Sequence, residues 1–395
     1  MKKLNIIIFD GSFKTTAFIN RLTVGLTHKN HRLYIIGFNT DCSEKIKGVN
    51  YIDLGNEDNK LNFIYVSLKL ACLSLFKSDG LSRLLKVVKA IIKSDGSTLK
   101  RMNVLNSVYF LNTDILHIQW PSLLPFCEDV LGKTNCKILL SQRGYHINVR
   151  PFIDEENKTV LKKWYPNIDG FHSVSHAIKE KSKLVYNSIN KLDKVIYSGI
   201  DCNSIPYRKI YSKGSVLKII SVGRPHWIKG YVFILKVCKE LKNRKLDFHY
   251  TIIGAKANEE LTYLVEEYGL INNVTLTSKL PQNEVFDMMR ESSLFLLSSV
   301  EEGLANVVIE AMAIGIPVIS TNVGGMSELV IQNKTGWLVP FNDIQAFVKE
   351  IESFNNFDTT DIDTFRLAAR KKVEEQHNID TMISEFESLY YQCLD

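Results

Sequence analysis

Residues 298–330 read SSVEEGLANVVIEAMAIGIPVISTNVGGMSELV, and the reading of this stretch decides the fold. The apolar run Phe295-Leu296-Leu297 before it predicts a buried strand, Glu302-Gly303 a turn, and residues 306–313 a helix. Gly315 and Pro317 end that helix, and Val318-Ile319-Ser320 predicts the next strand. A strand that turns through glycine into a helix N-terminus aims backbone N–H groups and the positive end of the helix dipole at the loop, which makes an anion site. Two carboxylates flank it, Glu302 before the helix and Glu310 inside it. Their spacing, read as continuous helix, is slightly over two turns and predicts both on roughly one side. Ionised carboxylates only accept hydrogen bonds, and they suit the vicinal hydroxyls of a sugar or ribose. A phosphate flanked by hydroxyl-rich rings describes a nucleotide sugar. Either Glu alone reads more plainly as a surface residue of a βαβ unit; it is the joint pattern that favours the ligand.

Glu302-(seven residues)-Glu310, Ala311-Met312-Ala313, Gly315-x-Pro317-Val318 and Gly324-Gly325-x-x-Glu328 together resemble the donor-site motif of retaining GT-B glycosyltransferases of family 4, the group 1 glycosyltransferases of polysaccharide biosynthesis. The resemblance implies an α/β fold of two Rossmann-like domains facing a central cleft, with a C-terminal helix crossing back to the first. It is strong over residues 217–340 and looser over residues 1–200.

The chain has 395 residues, 45% of them hydrophobic, enough for two domains with their own cores. Seven scattered cysteines without a C-x-x-C pair predict a reduced, cytoplasmic protein. The apolar run after the basic start is too short for a signal peptide, and no stretch is long enough to span a bilayer. Charge is uneven: residues 1–200 carry 29 Lys and Arg against 17 Asp and Glu, and residues 201–395 carry 20 against 26. A basic first half suggests an anionic partner, an acceptor or a membrane surface, with drift in surface composition as the plainer alternative.

In chain order, residues 4–9 predict a first strand, residues 10–16 a Gly/Ser/Thr loop, residues 17–28 an amphipathic helix and residues 33–38 a second strand, a βαβ opening that argues for a parallel sheet. The loop, with Gly11, Lys14 and Thr15, is not G-x-G-x-x-G; it looks like the loop that lies over the cleft in similar enzymes. Leu81, Leu84, Leu85, Val88, Ile91 and Ile92 fall at helical spacing with Arg83, Lys86, Lys89 and Lys93 on another side. The expectation is a helix whose apolar side packs inward and whose basic row faces solvent or lipid headgroups. Residues 114–120 and 137–141 predict strands ending in polar residues, where open α/β sheets place their sites, so His117, Gln119, Arg143, Tyr145 and His146 are cleft candidates. Similar enzymes often show His-x-His and His-Gly-x-Asp there; this chain has His117-x-Gln119 and Arg143-Gly144-x-His146. For His117, a hydrogen-bonded structural role stands beside the catalytic one.

Residues 195–200 resemble a family element that closes the first domain, which gives domains at 1–203 and 216–364 and a crossover helix at 365–395. In the second domain, residues 217–222 predict a strand followed by Gly223-Arg224-x-x-x-x-Lys229-Gly230. Two cations beside a helix N-terminus suit a diphosphate leaving group, and the stretch resembles the family loop that binds the donor pyrophosphate. Gly254 ends a strand at residues 248–253, and Leu280 lies in a loop that in related enzymes runs against the donor base. Residues 353–363 read as a loop.

The resemblance implies retaining transfer from a UDP- or GDP-sugar to a growing surface polysaccharide or lipid-linked glycan. Arg224 and Lys229, with the N–H groups of Gly303, Leu304 and Ala305, would face the diphosphate. Glu302 would meet donor-sugar hydroxyls and Glu310 the ribose. No Asp-x-Asp stands at a strand end, so neither metal nor another cofactor is expected, and no nucleic-acid partner. A cytoplasmic place, peripheral on the inner face of the membrane, goes with this reading. A nucleotide-sugar isomerase or hydrolase on the same fold, and an inactive glycan- or nucleotide-binding module, are the alternatives.

Overall fold

A computed structural model describes residues 2–13, 15–38, 45–212 and 214–395. The chain divides into two compact units, residues 1–197 with 379–395, and residues 198–378. Each is a parallel sheet covered on both faces by helices.

The first sheet holds β1 (Asn5–Gly11), β2 (Arg32–Gly37), β3 (Val49–Asp53), β4 (Ile115–Ile118), β5 (Lys137–Gln142), β6 (Gly170–Ser173) and β7 (Leu192–Val195), in the order β3-β2-β1-β4-β5-β6-β7. All its pairings are parallel. Side chains alternate across the sheet. Ile6 and Ile8 enter the core beneath Ala17–His28 and the last helix, Ile379–Leu394, whereas Ile7 and Phe9 enter the opposite core. Coverage of both faces explains why the inner strands β1, β2, β4 and β5 read as largely apolar runs, whereas the edge strands β3 and β7 carry polar residues.

The last helix is integral to this unit. Tyr390 donates or accepts at His117 Nδ1 at 2.8 Å, His31 Nε2 lies 3.1 Å from Glu387, and the Tyr391 hydroxyl reaches the Lys2 carbonyl at 2.6 Å. The expected single helix over residues 365–394 is in fact two, Thr359–Gln376 and Ile379–Leu394. The break falls where the His377 carbonyl accepts from Ile200 N and its Nδ1 meets the Ser198 carbonyl. Residues 353–363 are mostly helical rather than a loop. Ile344–Asn356 ends there, and Asp358 caps the next helix by accepting from Asp361 N. Asn, Asp and Thr there serve a helix start.

Residues 60–110 form three helices, Lys60–Leu73, Gly80–Ile92 and Gly96–Phe110, that pack on one another. The orientation of Gly80–Ile92 differs from expectation. Val87, Ala90 and Arg83 are buried, Leu84 and Ile91 half-buried, and Leu81, Leu85, Val88 and Ile92 exposed. Arg83 points inward because the neighbouring helices offer it acceptors. Its Nε meets Asn106 Oδ1 at 2.9 Å, its guanidinium reaches the Ser74 and Ser78 carbonyls, and it lies 4.0 Å from the Tyr109 ring.

The second sheet holds β8 (Leu217–Val222), β9 (Phe248–Ile253), β10 (Val274–Thr277), β11 (Leu294–Leu297), β12 (Val318–Thr321) and β13 (Trp337–Val339), in the order β10-β9-β8-β11-β12-β13. Tyr231–Asn243 and Ile344–Asn356 cover one face and Asn306–Ile314 the other. In each unit the strand order reverses at one place, between β1 and β4 and between β8 and β11. Open parallel sheets bind ligands in the crevice beyond the strand ends at that reversal.

Candidate functional site

At the reversal in the second unit, the loop after β8 and the loop after β11 are stitched together. The 3₁₀ turn Trp227–Lys229 follows Gly223-Arg224-Pro225-His226, and His226 Nδ1 accepts from Ile228 N. Ser298 Oγ donates to the Lys229 carbonyl at 2.8 Å, and Val300 N to the Ile228 carbonyl at 2.7 Å. Gly230 starts the helix Tyr231–Asn243 at φ +64°, and a Cβ there would overlap the Ser298 carbonyl oxygen. Only glycine allows both the left-handed backbone and that approach.

Across the stitched loops, Lys229 Nζ donates to Glu302 Oε1 at 2.6 Å, and Ser299 Oγ donates to the same oxygen at 2.8 Å. Both members of the pair are half-buried. The Ser299 carbonyl in turn accepts from Thr321 Oγ1 at 2.7 Å, which ties the loop to the end of β12. Gly324, at φ +51°, packs against the Glu302 backbone so closely that a Cβ would overlap the Glu302 carbonyl oxygen. Gly324, the first glycine of the Gly-Gly pair, therefore fixes where Glu302 stands.

Glu302 lies in the loop, before the helix begins at Asn306. The helical arithmetic that placed Glu302 and Glu310 on one side therefore does not apply, and Glu310 sits half-buried within Asn306–Ile314. The start of that helix, Ala305, makes no side-chain cap, unlike Asn258, Asp343 and Asp358, which cap other helices of this unit. An uncapped N-terminus leaves backbone donors to be satisfied from outside the helix. Gly303 and Ala305 are buried and Leu304 half-buried, the last two against the core beneath the helix. Arg224 is exposed and forms no ion pair among the described residues. The Gly223 carbonyl accepts from the Tyr231 hydroxyl at 3.3 Å, and burial, with Glu302 nearby, pushes that hydroxyl's pKa up. Gly254, at φ +95°, stands against the Gly223 carbonyl, and Leu280 packs half-buried beside the helix core. The connected loops thus bring together the Lys229 ammonium and the Glu302 carboxylate in front of the helix Asn306–Ile314, which carries Glu310.

The first unit differs from expectation. His117 is fully buried, with Nδ1 bonded to Tyr390 and Nε2 to Ser141 Oγ, each at 2.8 Å. Ser141 Oγ also meets His172 Nδ1 at 2.8 Å, and His172 Nε2 the Ile196 carbonyl at 3.0 Å. Burial holds both imidazoles neutral, His172 down to about 3. With both nitrogens engaged and no exposed surface, His117 is a strut of the core and not a group that meets an acceptor. Arg143 is likewise buried. It donates to Gln119 Oε1 at 2.8 Å and lies 3.9 Å from the Phe18 ring, and burial lowers its pKa to about 9. Gln119 belongs to the same buried set. His146 is half-buried, 5.7 Å from the Trp120 ring, and burial lowers its pKa. Tyr145 is exposed. Gly11 ends β1 at φ +86°, Thr15 bonds to Asn20, and Lys14 lies outside the described residues.

Sequence reasoning passed over Asp10. It stands near the end of β1, beside the β1/β4 reversal, accepts from Trp120 Nε1 and faces Arg143. Burial raises its carboxyl to about 6, against the lowering effects of Trp120 and Arg143. Such a group exchanges protons near neutral pH. An acid at the C-terminal end of the first strand was the available signal.

Comparison with known proteins fits this geometry. Residues 207–361 match the model of the family described as glycosyl transferases group 1. A Salmonella typhimurium protein with the provisional name of a colanic acid biosynthesis glycosyltransferase is 34% identical over 287 residues, 67% of this chain and 71% of its own. The chain belongs to the group 1 glycosyl transferase family. The Escherichia coli K12 protein of the same name is 32% identical over 260 residues, 62% of this chain; the match spans 64% of that relative's length. A crystal structure of Anabaena Alr3699/HepE with UDP and glucose superposes with a TM-score of 0.71 at 15% identity, over 98% of this chain and all of that one. The two parallel-sheet units are those of the GT-B architecture expected of the family. No helix among the described residues is long and apolar enough to cross a membrane.

Proposed function

We propose that this chain is a retaining glycosyltransferase that moves a sugar from a nucleoside-diphosphate sugar, UDP- before GDP-linked, to a growing surface polysaccharide or lipid-linked glycan. The observation that carries this reading is the Lys229–Glu302 pair held across the β8/β11 reversal, next to an uncapped helix N-terminus. The names of the relatives, and the UDP and glucose in the Anabaena structure, support it.

In this mechanism Arg224, Lys229 and the backbone N–H groups of Gly303, Leu304 and Ala305 stabilise negative charge on the departing diphosphate. Fixed donors aimed at developing charge are worth roughly 10²–10³ in rate each. An ammonium has three N–H donors, so Lys229 can keep its bond to Glu302 and still reach a phosphate oxygen. Glu302 accepts from donor-sugar hydroxyls and Glu310 from the ribose. The bond from the anomeric carbon to the phosphate oxygen breaks, and the acceptor oxygen bonds to that carbon from the same face. The leaving phosphate takes the acceptor's proton, so no protein nucleophile is used. The two cations replace a metal in neutralising the diphosphate. The six described cysteines are free, in keeping with work in the cytoplasm.

Thermal shift with UDP, GDP, ADP and CMP on wild type and Lys229→Ala tests the donor. A ligand at a hundredfold its dissociation constant adds about 2.7 kcal/mol of stability. Stabilisation of wild type alone by UDP is expected, and NMR of the product should show the donor's anomeric configuration. Donor breakdown with no dependence on acceptor would instead identify a hydrolase.

A further inference from the structure

The hairpin formed by Lys60–Leu73 and Gly80–Ile92 carries a surface that the donor site does not use. Leu81, Leu85, Val88 and Ile92 recur at intervals of four, three and four, which places them in one stripe along the helix. All four are exposed, Ile92 at 77%. Phe76, in the connection between the helices, is 97% exposed, and Leu61 on the first helix 82%. The helix therefore has three faces. Arg83, Val87 and Ala90 fasten it to the unit, the apolar stripe faces out, and Lys86, Lys89 and Lys93 line one side of that stripe.

The charge is mostly uncompensated, Asp95 beside Lys93 being the nearby exception. Residues 60–93 hold six lysines, all exposed, and Asp79 is their one acidic residue. None of those lysines forms an ion pair among the described residues. An aliphatic stripe beside unpaired lysines suits one partner above others. Protein interfaces are depleted in Lys and favour Arg, whereas the interface of an anionic bilayer takes apolar side chains into its acyl boundary and Lys among its headgroups.

We propose that this hairpin docks the protein on an anionic lipid bilayer, with Leu81, Leu85, Val88, Ile92 and Phe76 entering the acyl boundary and Lys86, Lys89 and Lys93 at the phosphates. The rigid inward anchor of Arg83 presents the stripe without any rearrangement of the unit. The purpose rests on the proposed transfer to a lipid-linked acceptor, but the surface does not, so the two are tested apart.

The test is flotation of the full chain with vesicles of phosphatidylcholine, alone or with about a quarter phosphatidylglycerol, without donor or acceptor. Binding to the anionic vesicles about tenfold or more above the neutral ones is expected, falling at high salt. Leu81→Ser/Leu85→Ser changes no charge and should lower that binding at least about fivefold. Lys86→Glu/Lys89→Glu should abolish it. Unchanged thermal midpoints show that the variants are folded, as surface changes should be. Leu85→Trp should be quenched by brominated acyl chains beyond the wild-type background. No anionic binding, or binding that the serine variant leaves intact, would overturn the proposal. So would a doubled mass in light scattering that the serine variant halves, since a second copy would then cover the stripe. Intact vesicle binding with no sugar transfer would overturn only the functional reading.

Discussion

Lys229 holds its ammonium 2.6 Å from Glu302, and Ser299 donates to the same carboxylate oxygen. The pair joins the loops after β8 and β11, so a change at either residue alters the charge of the site and weakens the tie between the loops. Lys229→Ala should lower kcat/KM for transfer by about 10²–10³, read as UDP release coupled to product. Glu302→Gln keeps the shape and should also lose activity. The double variant should fall well short of the product of the two losses, because neighbours in one network are not additive.

Arg224 offers a contrast. It is exposed and without an ion pair among the described residues, so Arg224→Ala should leave stability within about 0.5 kcal/mol. Nucleotide affinity, measured by calorimetry with UDP, should nonetheless drop about tenfold or more if the guanidinium meets the diphosphate.

Gly324→Ala places a side chain on a left-handed backbone and against the Glu302 carbonyl. Strain of this kind costs about 1–3 kcal/mol. The thermal midpoint should fall, and transfer should fall further than that of a surface variant of equal stability.

Tyr390→Phe removes the partner of a buried imidazole nitrogen. An unsatisfied buried polar group costs about 1–3 kcal/mol, so urea denaturation should show that loss. Activity of the folded protein should be unchanged at a temperature where both forms are native, as fits a strut.

Acid should destabilise the protein through its histidines. His172 and His377 are depressed to about 3 and about 4, chiefly by burial, so the unfolded chain binds their protons first as pH falls below about 6.5. Each then costs about 2 kcal/mol between pH 6.5 and 5. Asp10 acts oppositely: its carboxyl is raised to about 6, and the stability it contributes is present in acid and lost as pH rises through that value. The thermal midpoint should fall from pH 7 to 5, and more steeply in Asp10→Asn.

Residues 298–330 were legible because glycine and proline punctuate the turn and the helix end, and the central strands because coverage of both faces demands continuous apolar runs; the edge strands Val49–Asp53 and Leu192–Val195 carry polar side chains and gave no such signal. What could not be read was set by distant neighbours. Arg83 turns inward only because Asn106 and the Ser74 and Ser78 carbonyls await it, and periodicity alone assigns it to the wrong face. His117 sits at a strand end, as a site residue would, yet Tyr390 and Ser141 take both its nitrogens. The break at His377 carries no glycine or proline, because hydrogen bonds to residues 198–200 make it. Glu302 was found by its motif and misplaced by its arithmetic, since the helix starts four residues later than a continuous helix requires.

The closing helix also sets an order of events during synthesis. The first unit needs residues 379–395 to complete its buried polar core, yet the 181 residues from 198 to 378 are translated in between. At roughly 5–20 residues per second, the ribosome spends about 10–40 seconds on them. Over that interval the faces of Phe18, His117 and His172 that Phe386 and Tyr390 will cover stay open. The unit that is made first is finished last.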